Sequence, residues 1–140
     1  MKIRPYLTYQ GTCREAIALY ERAFQTQATD ITTYSDIPPN PQNPVPEGFK
    51  NQIVQAVLHI GDDFMRLSDC PKKLNDPESE RISLAVEASV EEVRYAFAVL
   101  SEEGRVAIPL EETFYSPLAG VVFDKFGVMW NFIGISGEFL

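Results

Sequence analysis

The chain has 140 residues, the length of one ordinary domain, and a core of that size buries roughly two thirds of the unfolded surface. Its 12 Lys and Arg against 20 Asp and Glu give a net charge of −8, and the basic residues are scattered. This balance argues against nucleic-acid and membrane partners. No secretory signal and no run of about 18 apolar residues occurs. We therefore expect a cytoplasmic protein in which Cys13 and Cys70 stay reduced, with a single disulfide between them as the less favoured alternative.

The first half of the sequence predicts a strand, a helix and then further strands. Residues 3–9 are β-forming, and Thr12 and Glu15 have the spacing of a capping box. A helix with one buried stripe is predicted because apolar residues recur at helical spacing, namely Ala16, Leu19, Tyr20, Ala23 and Phe24. Strands are predicted at 29–34, 53–60 and 64–67, with a hairpin turn at 61–63. Asp62 and Asp69 are interpreted as turn residues at strand ends.

The segment from 37 to 51 is rich in proline. It contains five of the ten prolines, namely Pro38, Pro39, Pro41, Pro44 and Pro46. Such segments form few internal hydrogen bonds and lie on the surface. Two interpretations stay open: a surface loop with no direct role, or a lid over the sheet or a dimer contact.

The second half repeats the order of the first. After a polar linker at 71–80, residues 81–87 alternate as a strand, and Ser89 and Glu92 form a second capping box. The stripe of the following helix is Val93, Ala96, Phe97 and Leu100, and Gly104 is expected to end this helix with positive φ. The sequence therefore predicts one domain, 1–140, made of two modules at about 1–75 and 80–136.

The last part of the chain is β-forming. Strand patterns occur at 105–110, 114–119, 121–123 and 128–133. Pro109 and Pro117 interrupt the first two of these patterns, and Asp124 to Gly127 predicts a tight turn with Gly127 at positive φ. Trp130 and Phe132 share one face of the last strand and are interpreted as core.

Several motifs resemble one known group of proteins. V-x-x-P-L-x-x-T-F-Y-S at 106–116 and G-x-V-x-D-K-F-G-V-x-W at 120–130 are similar to motifs of the PhnB-like branch of the vicinal-oxygen-chelate superfamily, which contains glyoxalase I and bleomycin-resistance proteins. The opening at 5–24 and the segments Ile60-Gly-Asp and Leu67-Ser-Asp are also similar. The resemblance implies an α+β fold in which paired βαβββ modules form a curved, mostly antiparallel sheet around a concave cavity.

The resemblance also implies where a metal would lie. In the superfamily, His, Glu or Gln side chains from the first and last strands of each module hold a divalent metal. The matching positions here are Pro5, Arg66, Arg81 and Asn131, and Gln55 stands where many members of the branch carry a His. Pro, Arg and Asn at the first four positions are poor ligands for such a metal, and the absence of a His at position 55 weakens the case further. We therefore predict no metal site and no cofactor, with a divalent metal at a displaced site as the alternative.

The only imidazole belongs to His59, which shares a face with Gln55 and Val57 by strand period. His59 is a candidate acid or base, and the alternative is a solvent-facing residue at a strand end. The predicted ligand-binding residues, which come from both modules, are Leu7, Tyr9, Gln55, His59, Glu111, Tyr115, Met129 and Asn131. Asp124 and Lys125 are interpreted as turn chemistry.

Three functions remain open from the sequence. The first is a homodimeric protein that binds a small molecule in the cavity without a metal. The second is a lyase, isomerase or dioxygenase that uses a displaced metal or His59. The third is a structural dimer with a vestigial cavity. A ubiquinone-pathway methyltransferase is disfavoured because no Gly-rich loop follows the first strand to hold S-adenosylmethionine.

Overall fold

The computed structural model describes residues 1–42, 44–73 and 80–136. The elements of the first half are β1 (Tyr6–Tyr9), α1 (Cys13–Phe24), β2 (Ala28–Thr33), β3 (Ile53–Ile60) and β4 (Asp63–Asp69), with a 3-10 turn at Tyr34–Asp36. Those of the second half are β5 (Leu84–Ala88), α2 (Val90–Ser101), β6 (Arg105–Glu111), β7 (Ala119–Phe123) and β8 (Met129–Gly134). Within the described residues no helix is long and apolar enough to span a membrane.

The two halves form two compact units with the same sheet topology. The first unit contains the described residues up to 73 except 22–24, which group with 80–136 in the second unit. The sheet of the first unit has the order β1-β4-β3-β2, and that of the second has the order β5-β8-β7-β6. In each sheet one pair is parallel, β1 with β4 and β5 with β8, and the other pairs are antiparallel. The βαβββ fold class expected from the sequence is confirmed.

The start of α1 is held by a distant residue and not by the predicted capping box. Thr12 makes no side-chain cap hydrogen bond. Asp69, the last residue of β4, accepts the backbone N–H groups of Gly11 and Cys13 through Oδ1, both at 2.9 Å. Its Oδ2 accepts the N–H of Ile53 at 3.1 Å. The interpretation of Asp69 as a turn residue was therefore wrong, because a fully buried carboxylate joins the first turn of α1 to the start of β3.

The capping box at the start of α2 is confirmed. Ser89 Oγ accepts the N–H of Glu92 at 3.2 Å, and the Glu92 carboxylate accepts the N–H of Ser89 at 3.3 Å. The predicted stripe of α2 is buried, and the ring of Phe97 lies 5.9 Å from that of Phe132. Phe24, the last residue of α1, lies 5.1 Å from the ring of Trp130. The prediction that Trp130 and Phe132 belong to the core is confirmed.

Gly104 follows α2 for a different reason from the one predicted. Its φ is not among the positive values, which occur at Gly11, Gly48, Gly61 and Gly127 among the described glycines. A Cβ at position 104 would instead overlap the carbonyl oxygens of Phe123 and Leu100. The glycine is required by the close approach of two backbones. At Gly127, by contrast, the predicted positive φ is confirmed at 86°.

Two strand predictions in the second half need correction. Residues 114–118 form no strand but a loop, because Thr113 Oγ1 accepts the N–H of Ser116 at 3.1 Å and Ser116 Oγ donates to the carbonyl of Gly134 at 2.6 Å. These side-chain bonds to the backbone replace those of a sheet. Pro109 is accommodated within β6 because this edge strand pairs only with β7 and with register shifts.

Strand starts also differ from the prediction. The first strand begins at Tyr6 and not at residue 3, and β5 begins at Leu84, so Arg81 precedes it. The hairpin turn at Gly61 is confirmed, with φ of 59° at the glycine. Residues 74–79 of the predicted linker lie outside the described residues.

Candidate functional site

The side of the first sheet that faces away from α1 is defined by strand register. Tyr9 contacts α1, and side chains of paired residues point to the same side of a sheet while neighbours along a strand alternate. The register therefore places eight side chains on the opposite side, here named the first open face: Tyr6, Thr8, Gln55, Val57, His59, Phe64, Arg66 and Ser68. The predicted shared face of Gln55, Val57 and His59 is confirmed.

Two arginine side chains, those of Arg4 and Arg66, lie near Phe64 at one end of the first open face. The guanidinium carbon of Arg4 lies 4.4 Å from the ring centroid of Phe64, and that of Arg66 lies 5.6 Å from the same centroid. The exposed His59 ring is 5.8 Å from Phe64. Arg4 also contacts the exposed Asp63 at 3.4 Å, whereas its buried Nε has no hydrogen-bond partner. We name Arg4, His59, Phe64 and Arg66 the cationic cluster.

Two of the predicted ligand-binding residues lie on the helix side of the first sheet. Tyr9 is buried, and its hydroxyl shares a 2.8 Å hydrogen bond with the hydroxyl of Tyr20 in α1. Leu7 pairs with the buried Leu67 and points to the same side as Tyr9. Tyr9 therefore belongs to the core, and the half-buried Leu7 lies on the same side of the sheet, opposite to the exposed Thr8.

Three other predicted residues belong to one face of the second sheet. Asn131 lies between the core residues Trp130 and Phe132, so its side chain and that of Met129 point to the other side, here named the second open face. The register aligns Ala119 with Ile133, which shares this face, and Glu111 with Ala119 at the exposed end of β6. Met129 and Asn131 are half-buried.

Tyr115 lies in the loop at 113–116, here named the hydroxyl-clamped loop, because Thr113 and Ser116 hold it through hydroxyl groups. Tyr115 is 48% exposed, and the preceding Phe114 is 96% exposed with its ring 5.1 Å from that of Tyr115. Ser116 is fully buried, and its Oγ also accepts the N–H of Leu118 at 3.1 Å. The loop thus exposes two aromatic rings, while hydrogen bonds between the hydroxyl groups of Thr113 and Ser116 and the backbone hold it in place.

Asp124 provides the frame for the turn before β8. Its Oδ1 accepts the backbone N–H groups of Phe126 at 2.9 Å and Val128 at 3.1 Å, and its Oδ2 accepts the indole N–H of Trp130 at 2.9 Å. Lys125 forms a surface ion pair with Glu103 at 3.2 Å. The interpretation of these two residues as turn chemistry is confirmed.

Burial decides the chemistry of one thiol. Cys13 is fully buried at the start of α1, and both cysteines are free thiols. Burial, followed by the nearby Asp69 carboxylate, raises the pKa of Cys13 from 9.0 to about 12. Since the thiolate is the reactive form, Cys13 is not a nucleophile at neutral pH.

The proline-rich segment surrounds a cavity of about 370 Å³. Its walls include four prolines, Tyr34 and Lys50. The Tyr34 hydroxyl already donates to the carbonyl of Asp69 at 2.6 Å, and the backbone N–H of Ser35 binds the carbonyl of Lys50. The volume is that of a small ligand pocket, but few of its polar groups are free to orient a ligand. A role for this segment as a lid or a dimer contact stays a prediction.

The residues at the positions expected for a metal do not fit one. Arg66 and Asn131 lie on the two open faces, whereas Pro5 and Arg81 lie outside the strands. A guanidinium repels a divalent ion, and an amide oxygen is a weak ligand for it. Among the residues that the structure describes, no group of three His, Cys, Asp or Glu side chains is arranged to hold a metal.

Comparison with known proteins identifies the family. The model of the Glyoxalase/Bleomycin resistance protein/Dioxygenase superfamily matches residues 2–132. The chain belongs to this superfamily. Within it, the chain is 28% identical over 136 residues to the protein YjdN of Escherichia coli K12, with 93% of this chain and 92% of YjdN covered.

Two solved structures of the superfamily fold are closely similar. Protein PA1353 from Pseudomonas aeruginosa is 29% identical, with a TM-score of 0.81, and covers 96% of this chain and 97% of its own. The PhnB protein from Bacillus cereus is 24% identical, with a TM-score of 0.79, and covers 96% of this chain and 100% of its own. The superfamily resemblance expected from the sequence motifs is therefore confirmed, including its PhnB-like neighbours.

Proposed function

We propose that this superfamily member binds a small molecule on the open faces of its sheets without the metal of its metal-dependent relatives. The observation that carries the proposal is the set of side chains there. The first open face presents amide, hydroxyl and cationic groups, with Gln55, Thr8 and Arg66 among them. Such groups recognise a polar ligand directly, whereas a divalent metal needs several anionic or imidazole ligands.

The proposed function also includes a homodimer in the cytoplasm, and both parts stay predictions. A second copy would cover apolar side chains that are exposed on the edge strand β6 and the hydroxyl-clamped loop. Val106 is 43% exposed and Ile108 is 50% exposed, and Phe114 lies in the loop that follows. An exposed edge strand with apolar side chains is otherwise a site of unspecific association.

Native mass spectrometry of untagged protein purified without chelator tests the proposal. We expect a dimer that carries no metal. If the ligand survives purification, the measured mass exceeds that of the two chains by the mass of a small molecule. One divalent ion per chain would overturn the metal-free proposal in favour of the enzyme with a displaced metal. A metal-free chain that retains nothing, and binds no compound from a small-molecule library by thermal shift, would favour the structural dimer instead.

A further inference from the structure

We propose that the cationic cluster on the first open face is the subsite for the anionic group of the ligand, a carboxylate or a phosphoryl oxyanion. The inference rests on the proposed small-molecule function and adds the class of ligand. It is also consistent with the poor metal fit, because the guanidinium of Arg66 brings positive charge to this face.

The charges of the cluster are only partly neutralised within the protein. Arg66 forms no ion pair with a carboxylate in any part of the chain that the structure describes. Arg4 has one contact, with Asp63 at 3.4 Å, and Asp63 is 87% exposed, so water screens the pair strongly. The buried Nε of Arg4 lacks a partner. A ligand oxyanion is the group that would complete the hydrogen bonding of these guanidinium groups.

Both guanidinium groups lie near one ring. The guanidinium carbons of Arg4 and Arg66 are 4.4 Å and 5.6 Å from the centroid of Phe64. An anion that contacts both groups would reduce the repulsion between their like charges. The chain carries a net charge of −8, so the cluster is a local exception on an acidic protein and not part of a general basic surface.

The same face continues into neutral polar groups. Two residues further along each strand, Thr8 and Gln55 lie beside the buried Ser68, whose hydroxyl already donates to the carbonyl of Asp69 at 3.2 Å. Successive rows on one face are about 7 Å apart. A ligand with an anionic head at the cluster and a polar or aromatic body would therefore reach this second row.

The test measures the binding of benzoate, of inorganic phosphate and of the neutral analogue benzamide to the full chain by NMR titration in the presence of a chelator. We expect benzoate or phosphate to bind, and Arg66→Gln and Arg4→Gln each to weaken that binding about tenfold or more, because each removes a charge-assisted hydrogen bond. Arg66→Lys keeps the positive charge but loses the planar guanidinium that can donate two parallel hydrogen bonds, and we expect an intermediate loss of affinity.

Arg94→Gln is the matched control, because Arg94 is exposed on α2 and its removal changes the net charge equally. We expect it to change the affinity less than about twofold. Equal binding by the wild type, Arg66→Gln and Arg4→Gln would overturn the proposal. Benzamide that binds as tightly as benzoate would overturn it as well. If Arg66→Gln does not fold, Arg4→Gln and Arg66→Lys decide the outcome.

Failure of this inference is distinguishable from failure of the proposed function. A retained ligand that is neutral, and whose binding is independent of Arg4 and Arg66, would leave the binding function standing and remove the anion subsite. A stoichiometric metal in the native protein would remove the metal-free function. The dependence of phosphate binding on Arg66 would still be measured separately, because the titration contains a chelator that removes the metal.

Discussion

Asp69 is the residue whose replacement tests most directly how the first unit is built. Its carboxylate is fully buried and accepts three backbone N–H groups, from Gly11, Cys13 and Ile53. Asp69→Asn keeps the size of the side chain but replaces one carboxylate oxygen by an NH2 group. This donor then faces a backbone N–H, which is also a donor. Hydrogen bonds to a charged group contribute about 1.5–3 kcal/mol each, so we expect the free energy of unfolding to fall by about 2–4 kcal/mol.

The larger change, Asp69→Ala, leaves all three N–H groups without an acceptor and also removes the negative charge at the start of α1. We expect it to cost at least about 4 kcal/mol, a large part of the roughly 5–15 kcal/mol that stabilises a typical domain. Urea unfolding followed by far-ultraviolet circular dichroism measures both values.

Two controls separate this account from the one suggested by the sequence. Asp62→Asn lies in the exposed turn after β3, and we expect it to change the stability by less than about 0.5 kcal/mol. Thr12→Ala would cost about 1 kcal/mol if Thr12 capped α1, but we expect almost no loss because its side chain makes no cap hydrogen bond. A loss below about 1 kcal/mol for Asp69→Asn, or a larger loss for Thr12→Ala than for Asp69→Asn, would refute the reasoning.

Further predictions concern buried groups. In the native protein at pH 8, iodoacetamide should label Cys70 and spare Cys13. Because the pKa of Cys13 is raised from 9.0 to about 12, its contribution to stability is complete below pH 9 and is lost as the pH rises towards 12. A free energy of unfolding that stays constant across that pH range would contradict this prediction. Gly104→Ala should lower the stability by about 1–3 kcal/mol through overlap with backbone carbonyls, and an unchanged melting temperature would exclude that overlap. Ser116→Ala should lower the free energy of unfolding by about 1–3 kcal/mol, because it leaves a buried N–H and a carbonyl without their hydroxyl partner. Replacement of the exposed Phe114 in Phe114→Ser should change it by less than about 0.5 kcal/mol. Equal losses would show that the hydroxyl of Ser116 does not hold the loop.

Features that depend on neighbours in sequence could be predicted. The capping box of Ser89 and Glu92 involves residues three apart, and the turn from Asp124 to Gly127 closes on itself, so both were found from local spacing. The cap of α1 could not be found this way, because Asp69 is 56 residues from Cys13. A plausible local partner, Thr12, was present and misled the prediction.

The face of each strand depends on register, which a single sequence leaves free by one residue. For this reason the sequence analysis did not place Leu7 and Tyr9 on the helix side of the sheet, although the polar Thr8 and Gln10 that alternate with them were a signal of that direction. The cationic cluster was missed because Arg4 precedes β1 whereas Phe64 lies in β4, and only the pairing of β1 with β4 brings the two residues together.

The single indole and the buried thiol give the chain two native reporters, one for each unit. Trp130 is the only tryptophan, and its N–H donates to Asp124 within the second unit, so its emission follows the unfolding of that unit. Cys13 lies in the first unit and becomes reactive only when that unit opens. Denaturation curves from the emission and from thiol labelling therefore measure, without any engineered probe, whether the two repeated halves unfold together or one before the other.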